Sequence, residues 1–158
     1  MPDTALRNQL ARLLTTSDAH IDFERAVADL PAAARGRRPG NVPHTPWRLV
    51  EHMRLAQRDI LDFSRNPDYR EPAWPDDYWP ADDGPPEDPA WQRSLDAFLA
   101  DRAAMVELVN DPARDLAAPI PWGDGQTLLR EALVLADHNA YHVGQLITVR
   151  RLLGAWQD

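Results

Sequence analysis

From Thr127 to Gly154 the chain reads Thr-Leu-Leu-Arg-Glu-Ala-Leu-Val-Leu-Ala-Asp-His-Asn-Ala-Tyr-His-Val-Gly-Gln-Leu-Ile-Thr-Val-Arg-Arg-Leu-Leu-Gly. Leu128, Leu135, Leu146, Val149 and Leu153 mark an apolar helical stripe, Thr127 is a capping residue type, and Gly154 follows two arginines as a left-handed stop. A single long helix is expected. Inside it, Asp137-His138-Asn139-Ala140-Tyr141-His142 sets two imidazoles four residues apart, one turn apart on the same face. That face is the apolar one, so both rings turn inward, where each needs a polar partner.

Working outward, the chain supplies the helices that bury this stripe. Leu6, Leu10, Leu13, Leu14, Ile21 and Val27 recur at helical spacing, predicting a first helix from Asp3 to Leu30. Pro31 and the run Arg35-Gly36-Arg37-Arg38-Pro39-Gly40 break it. Thr45-Pro46 then reads as a cap followed by proline at the first helical position, opening a second helix to about Arg65. Asp88-Pro89 repeats that signature ahead of Trp91, Leu95, Phe98, Met105 and Val109, a third helix to about Asn110. A proline-bearing connection, Asp111 to Gln126, leads to the fourth. With no strand pattern and no internal repeat, residues 1–158 are expected to form one all-α domain, a four-helix bundle.

Between Asn66 and Ala90 lie seven prolines, eight acidic residues and the aromatics Tyr69, Trp74, Tyr78 and Trp79. This composition cannot sustain a regular element, yet large rings prefer burial. The loop is therefore expected to pack across the bundle through Trp74 and Trp79, either as a surface strap or as a lid over a site.

The composition, with 44% hydrophobic and 27% charged residues, is globular. A formal charge of -8 repels phosphate backbones and anionic lipid, which argues against nucleic acid and membrane partners. Without cysteine there is no disulfide, thiolate ligand or cysteine nucleophile, so any metal must be held by nitrogen or oxygen. The N-terminus lacks the pattern of a secretory leader and no stretch reaches membrane-spanning length, so a cytoplasmic protein is expected.

A third imidazole joins the pair. His52 falls between Leu49 and Ala56 on the inward stripe of the second helix, with Met53 and Ile60. Either each ring finds its own carbonyl or carboxylate, or the three share one ion. Helix-height arithmetic places His20 ~15 Å before the end of the first helix and His52 ~10 Å into the second. On that basis His20 lines the same cavity as a ligand, proton carrier or substrate contact, or else sits on the surface. His44 precedes the Thr45 cap and has no metal role. Asp137, Glu51 and Asp59 have the chemistry to orient ligating rings.

The stretches His44-Thr-Pro-Trp-Arg-Leu-Val-Glu-His52 and Asp137-His-Asn-Ala-Tyr-His-Val-Gly-Gln-Leu146, with the four-helix layout, resemble the DinB-like (YfiT-like) metal-binding four-helix bundles. The family pattern is one histidine in the second helix and a His-x-x-x-His pair in the fourth. The resemblance implies up-down-down-up connectivity, a divalent metal ion on His52, His138 and His142, frequent homodimers, and in some members transfer of a low-molecular-weight thiol onto an electrophile.

Two function classes follow. Three neutral imidazoles leave a coordination position open, where a thiol or water becomes a nucleophile at neutral pH, with His20 or Tyr141 as candidate catalytic helpers. This would be a metal-dependent thiol transferase or hydrolase acting on a small molecule. The alternative is a non-enzymatic, metal-stabilised or stress-associated protein that binds a small ligand. Imidazole nitrogens suit several ions, zinc and nickel foremost. No residue selects a reaction.

Overall fold

The computed structural model describes residues 2–16 and 18–157, and all regular elements among them are helical apart from one isolated bridge between Pro119 and Thr127. The helices are α1 (Pro2–Thr15), α2 (Phe23–Val27), α3 (Ala32–Arg35), α4 (Pro46–Arg65), α5 (Asp88–Asn110) and α6 (Leu128–Leu152). The four long ones, α1, α4, α5 and α6, form the bundle, in which α4 and α1 each pack on both α5 and α6. The sequence signals place the starts of α4 and α6 to the residue. Thr45 caps α4 by accepting from the Arg48 amide at 3.2 Å, and Thr127 caps α6 by accepting from the Arg130 amide at 3.2 Å. Helix α5 begins at Asp88, with Glu87 rather than Asp88 at the cap. Gly154, at φ 67°, follows the end of α6, where the left-handed backbone favours glycine.

The first predicted helix, Asp3 to Leu30, is corrected to two pieces, α1 and α2, separated by a bend. The Thr15 and Thr16 hydroxyls donate back to the carbonyls of Ala11 at 2.7 Å and Arg12 at 2.9 Å, offering the backbone an alternative to a continued ladder, and α1 stops there. Asp22 then caps α2, accepting from the Arg25 amide at 2.8 Å. The apolar spacing that suggested continuity is still used, since Phe23 and Val27 are buried from the short α2 and Leu30 from the turn after it. Buried Arg150 of α6 ties this segment down by donating to the Ala26 carbonyl at 2.6 Å.

Two apolar clusters fill the bundle. One gathers Phe23, Leu49, Met53, Trp91, Phe98 and Leu146, the other Leu10, Leu61, Met105, Val109, Leu128 and Leu135. Along α6, His138 and His142 lie between the residues assigned to the two clusters, whereas His52 on α4 sits beside Met53 of the first. A buried polar layer marks the same level, where Gln57 donates to the Phe98 carbonyl at 2.6 Å and accepts from Asn139 at 3.0 Å.

The 66–87 loop is a strap laid back along α4. Proceeding toward the N-terminal end of that helix, Asp59 accepts from Tyr69 and Tyr78, His52 meets the Tyr78 carbonyl, Arg48 donates to the Pro80 carbonyl at 2.8 Å, and Thr45 donates to the Asp83 carbonyl at 2.6 Å. Trp79 packs against the first cluster as expected, but Trp74 does not pack across the bundle, being 71% exposed. The strap turns on itself at that tip, with the Ala73 amide donating to Asp77 at 2.8 Å, so the ring is left at the surface.

Because fully buried Thr45 both caps α4 and holds the strap, Thr45→Ala is expected to cost about 2 kcal/mol, the sum of a cap and a buried hydrogen bond, and Thr45→Ser to restore most of it. Denaturant unfolding measures this, and a loss no larger than a surface substitution would refute the double role.

Candidate metal centre

The inward stripes of α4 and α6 converge on His52, His138 and His142, whose candidate ligand atoms all lie within 4.8 Å of one another. Ring centroids are 4.9 Å apart for His52 and His138, 4.6 Å for His52 and His142, and 4.5 Å for His138 and His142. His52 is 3% exposed and His142 is buried, while His138 is half-buried.

Hydrogen bonds fix which nitrogen of His52 and of His142 faces the cluster. The Tyr78 carbonyl can only accept, so His52 Nδ1 carries a proton and donates to it at 2.8 Å, leaving the Nε2 lone pair inward. His142 Nδ1 donates to Gln145 Oε1 at 2.7 Å, and Gln145 Nε2 donates to the Tyr141 hydroxyl at 3.0 Å. His52 Nε2 and His138 Nε2 approach to 3.1 Å, and buried His138 Nδ1 has no hydrogen-bond partner among the described residues. The donor set fits a divalent ion. At a zinc–nitrogen length of ~2.0–2.1 Å, two tetrahedral ligands stand ~3.3 Å apart, close to the spacing of the two Nε2 atoms.

Aromatic rings support the cluster from one side. His52 stacks on Trp79 with centroids 3.8 Å apart and planes 3° apart, and the other stacked partner of Trp79 is His44, at 4.3 Å. His44 thus lies outside the cluster, as expected, but shares its wall. On the open side the three imidazoles face a cavity of about 340 Å³ whose other walls are Ala56, Asp59, Ile60, Trp74, Tyr78 and Trp79.

Burial holds the imidazoles neutral. His52 and His138 are each pushed down to about 4, chiefly because charging them would require hydration they have lost, and His142 and His44 are shifted the same way by the same cause. The Tyr78 carbonyl and the Gln145 amide partly oppose this at His52 and His142. Neutral rings are the form that ligates a metal.

The remaining site expectations fare differently. Tyr141 is 63% exposed, edge-on to His142 and linked to it through Gln145. His20 sits in the exposed bend after α1 and lines a different cavity, of about 540 Å³, with Asp22, Arg102 and Asp137. The height arithmetic that put His20 beside His52 assumed a helix running to Leu30, and α1 ends at Thr15. Of the three carboxylates, Glu51 pairs with Arg54 and Ser94, Asp59 is held by two tyrosine hydroxyls, and Asp137 is exposed. The rings are oriented instead by the Tyr78 carbonyl and by Gln145. The second was readable, as an amide three residues from His142 on one helix. The first, a carbonyl in an irregular loop, leaves no mark on the sequence.

These are the features of a helical bundle with a three-histidine cluster that can hold a metal ion. The chain matches the family model described as the DinB superfamily over residues 15–146, and it belongs to that superfamily, whose members bind metal. Neither the comparison with curated proteins nor that with solved structures returned a match. No helix among the described residues is long and apolar enough to cross a membrane.

The depressed histidines set an acid limit on the metal-free protein. Below pH 6.5 the unfolded chain takes up protons that the folded rings refuse until about pH 4, so stability present at neutral pH is lost as pH falls through that interval. Glu24 and Glu51 are lowered from 4.5 and contribute their own loss only below it. Melting temperature should therefore fall from pH 6.5 to 4.5, with a shallower slope in His138→Gln. An unchanged slope in that variant would contradict the assignment.

Proposed function

We propose that this protein holds one divalent ion, zinc or nickel, on His52, His138 and His142, and that the open side of the site serves a metal-dependent reaction of a low-molecular-weight thiol, or of water, with a small electrophile. The observation that carries this reading is the placement of three neutral imidazoles in the wall of an open cavity rather than in a sealed core. When bound, such an ion supplies a Lewis acid that lowers the pKa of an incoming thiol or water.

The chain's own residues do the rest. The Tyr78 carbonyl and Gln145 hold the His52 and His142 rings in the tautomer that presents Nε2. Trp79 backs His52, while Trp74, Ile60 and Ala56 give the cavity apolar walls suited to the carbon skeleton of a small substrate. Of the two candidate helpers, geometry supports Tyr141, through Gln145, over His20.

The same reading takes the connectivity as up-down-down-up. It is supported by the pairs Glu51–Ser94, Gln57–Phe98 and Arg58–Asp101, whose near-constant offset suits α4 and α5 running the same way. One observation favours a non-enzymatic ligand-binding protein instead. The carboxylate in the cavity wall, Asp59, has both oxygens engaged by tyrosine hydroxyls and offers no unengaged base.

Elemental analysis of untagged protein should give about one ion per chain, lost in His138→Ala and His142→Ala because a three-nitrogen site rarely survives losing a ligand. Full metal retention in both variants would sink the site. A screen of thiol donors against model electrophiles then separates the two classes. Turnover that requires the metal supports the enzyme, and saturable ligand binding without turnover supports the binding protein. His20→Ala should leave metal affinity unchanged, and a loss would move His20 into the coordination shell.

A further inference from the structure

Asp59 is one face-repeat, seven residues, beyond His52 on α4, ~10 Å along the helix axis, so it borders the histidine cavity without joining the cluster. Its Oδ1 accepts from the Tyr69 hydroxyl at 2.7 Å and its Oδ2 from the Tyr78 hydroxyl at 2.7 Å. One carboxylate thus fastens the strap at two places nine residues apart. Tyr78 carries both ends of the coupling, because its side chain docks on Asp59 while its main-chain carbonyl accepts from His52 Nδ1. The next residue, Trp79, stacks on the same imidazole.

Charge-assisted hydrogen bonds to a carboxylate are about twice as strong as neutral ones, and these two are shielded by the strap they hold. Were they absent, the 66–78 arm would keep few other ties to α4, and the carbonyl that fixes the His52 tautomer would be held only by its continuation to Pro80 and Asp83. A neutral imidazole without a partner at Nδ1 exchanges its proton between the two nitrogens, and the inward lone pair is then present only part of the time.

We propose that Asp59 is a positioning residue of the histidine cluster, acting through the Tyr69 and Tyr78 hydroxyls to hold the strap that fixes His52 with its Nε2 lone pair facing the other two rings. The inference rests on reading the cluster as a metal centre, but it makes a claim about the metal-free protein that stands apart from that reading.

The test uses the full chain and four variants, Asp59→Ala, Asp59→Asn, Tyr78→Phe, and Tyr69→Phe with Tyr78→Phe. The tautomer of His52 is read from its ring nitrogen shifts by NMR in metal-free protein, and zinc affinity by competition with a chromophoric chelator. Wild type should show His52 in the Nδ1–H form alone. Asp59→Ala and the double phenylalanine variant should each show a tautomer mixture and bind zinc at least tenfold more weakly. Asp59→Asn, which can accept from one hydroxyl and donate to the other, should stay within about threefold of wild type. The phenylalanine variants remove only oxygen atoms from the strap and leave α4 untouched, so they decide the matter even if Asp59→Ala fails to fold. A wild-type tautomer and affinity in the double phenylalanine variant would overturn the proposal. So would weakened binding in Asp59→Asn with an unchanged His52 tautomer, since Asp59 would then act on the metal directly. If wild type binds no zinc, the metal reading fails while the tautomer measurement still decides the role of Asp59.

Discussion

Two buried imidazoles and a half-buried third meet between α4 and α6, and much of the surrounding architecture follows from what burial demands of them. A neutral imidazole carries one donor and one acceptor, and neither can be left to the hydrocarbon around it without cost. The chain answers differently for each ring. His142 is satisfied from its own helix by Gln145, His52 by a carbonyl brought in from a distant loop, and His138 keeps one nitrogen without a partner among the described residues while the other points at His52. The nitrogen left over is His138 Nδ1, whereas the Nε2 atoms of His52 and His138 face each other at 3.1 Å, a spacing that a shared cation would fit.

The demand at His52 explains why an acidic, proline-rich segment is held so tightly. Thr45, Arg48, His52 and Asp59 repeat along one face of α4, and each receives the strap through a different chemistry: a hydroxyl, a guanidinium, an imidazole and a carboxylate. Elsewhere, two buried arginines perform a similar service. Arg7 donates to the carbonyls of Val109, Asp111 and Arg114, and Arg150 to those of Ala26 and Ala155, so the irregular connections gather around side chains of the regular helices. The net charge of -8 completes the picture, because a negative field raises the local concentration of cations around a site whose own ligands are uncharged.

The sequence was most legible where local chemistry and packing agree. Thr45-Pro46 and Thr127 mark their helix starts to the residue because cap geometry is local, and the three ligand candidates declare themselves because a histidine on an apolar stripe must go inward. The first helix misled because its apolar spacing survives the break: Phe23 and Val27 are buried from α2 much as they would be from a continuous helix, and only the hydroxyls of Thr15 and Thr16 hint at the stop. That one error carried His20 to the wrong cavity. The strap was legible as packed but not in its detail, since aromatic content says that rings seek burial without saying which ring reaches it. Trp79 reached His52, and Trp74 did not.

The strap's two halves are held by different kinds of contact. From Tyr78 to Asp83 it is bonded to His52, Arg48 and Thr45 on successive turns at the start of α4, and displacing it would strip His52 of its partner and its stacking ring together. Such a segment opens only at a free-energy cost approaching that of losing the core beside it. The tip is different. Around Trp74 the bonds are local to the strap, from the Ala73 amide to Asp77, from the Asp77 amide to the Ala73 carbonyl and from the Tyr78 amide to the Pro75 carbonyl, and the Trp74 ring meets that of Tyr78. The tip is thus joined directly to Tyr78, the residue whose carbonyl holds His52, and it carries a large exposed ring at the edge of the cavity. Residues 78–83 are therefore anchored on α4 itself, whereas the turn around Trp74 is held to the helix through its neighbours Tyr69 and Tyr78.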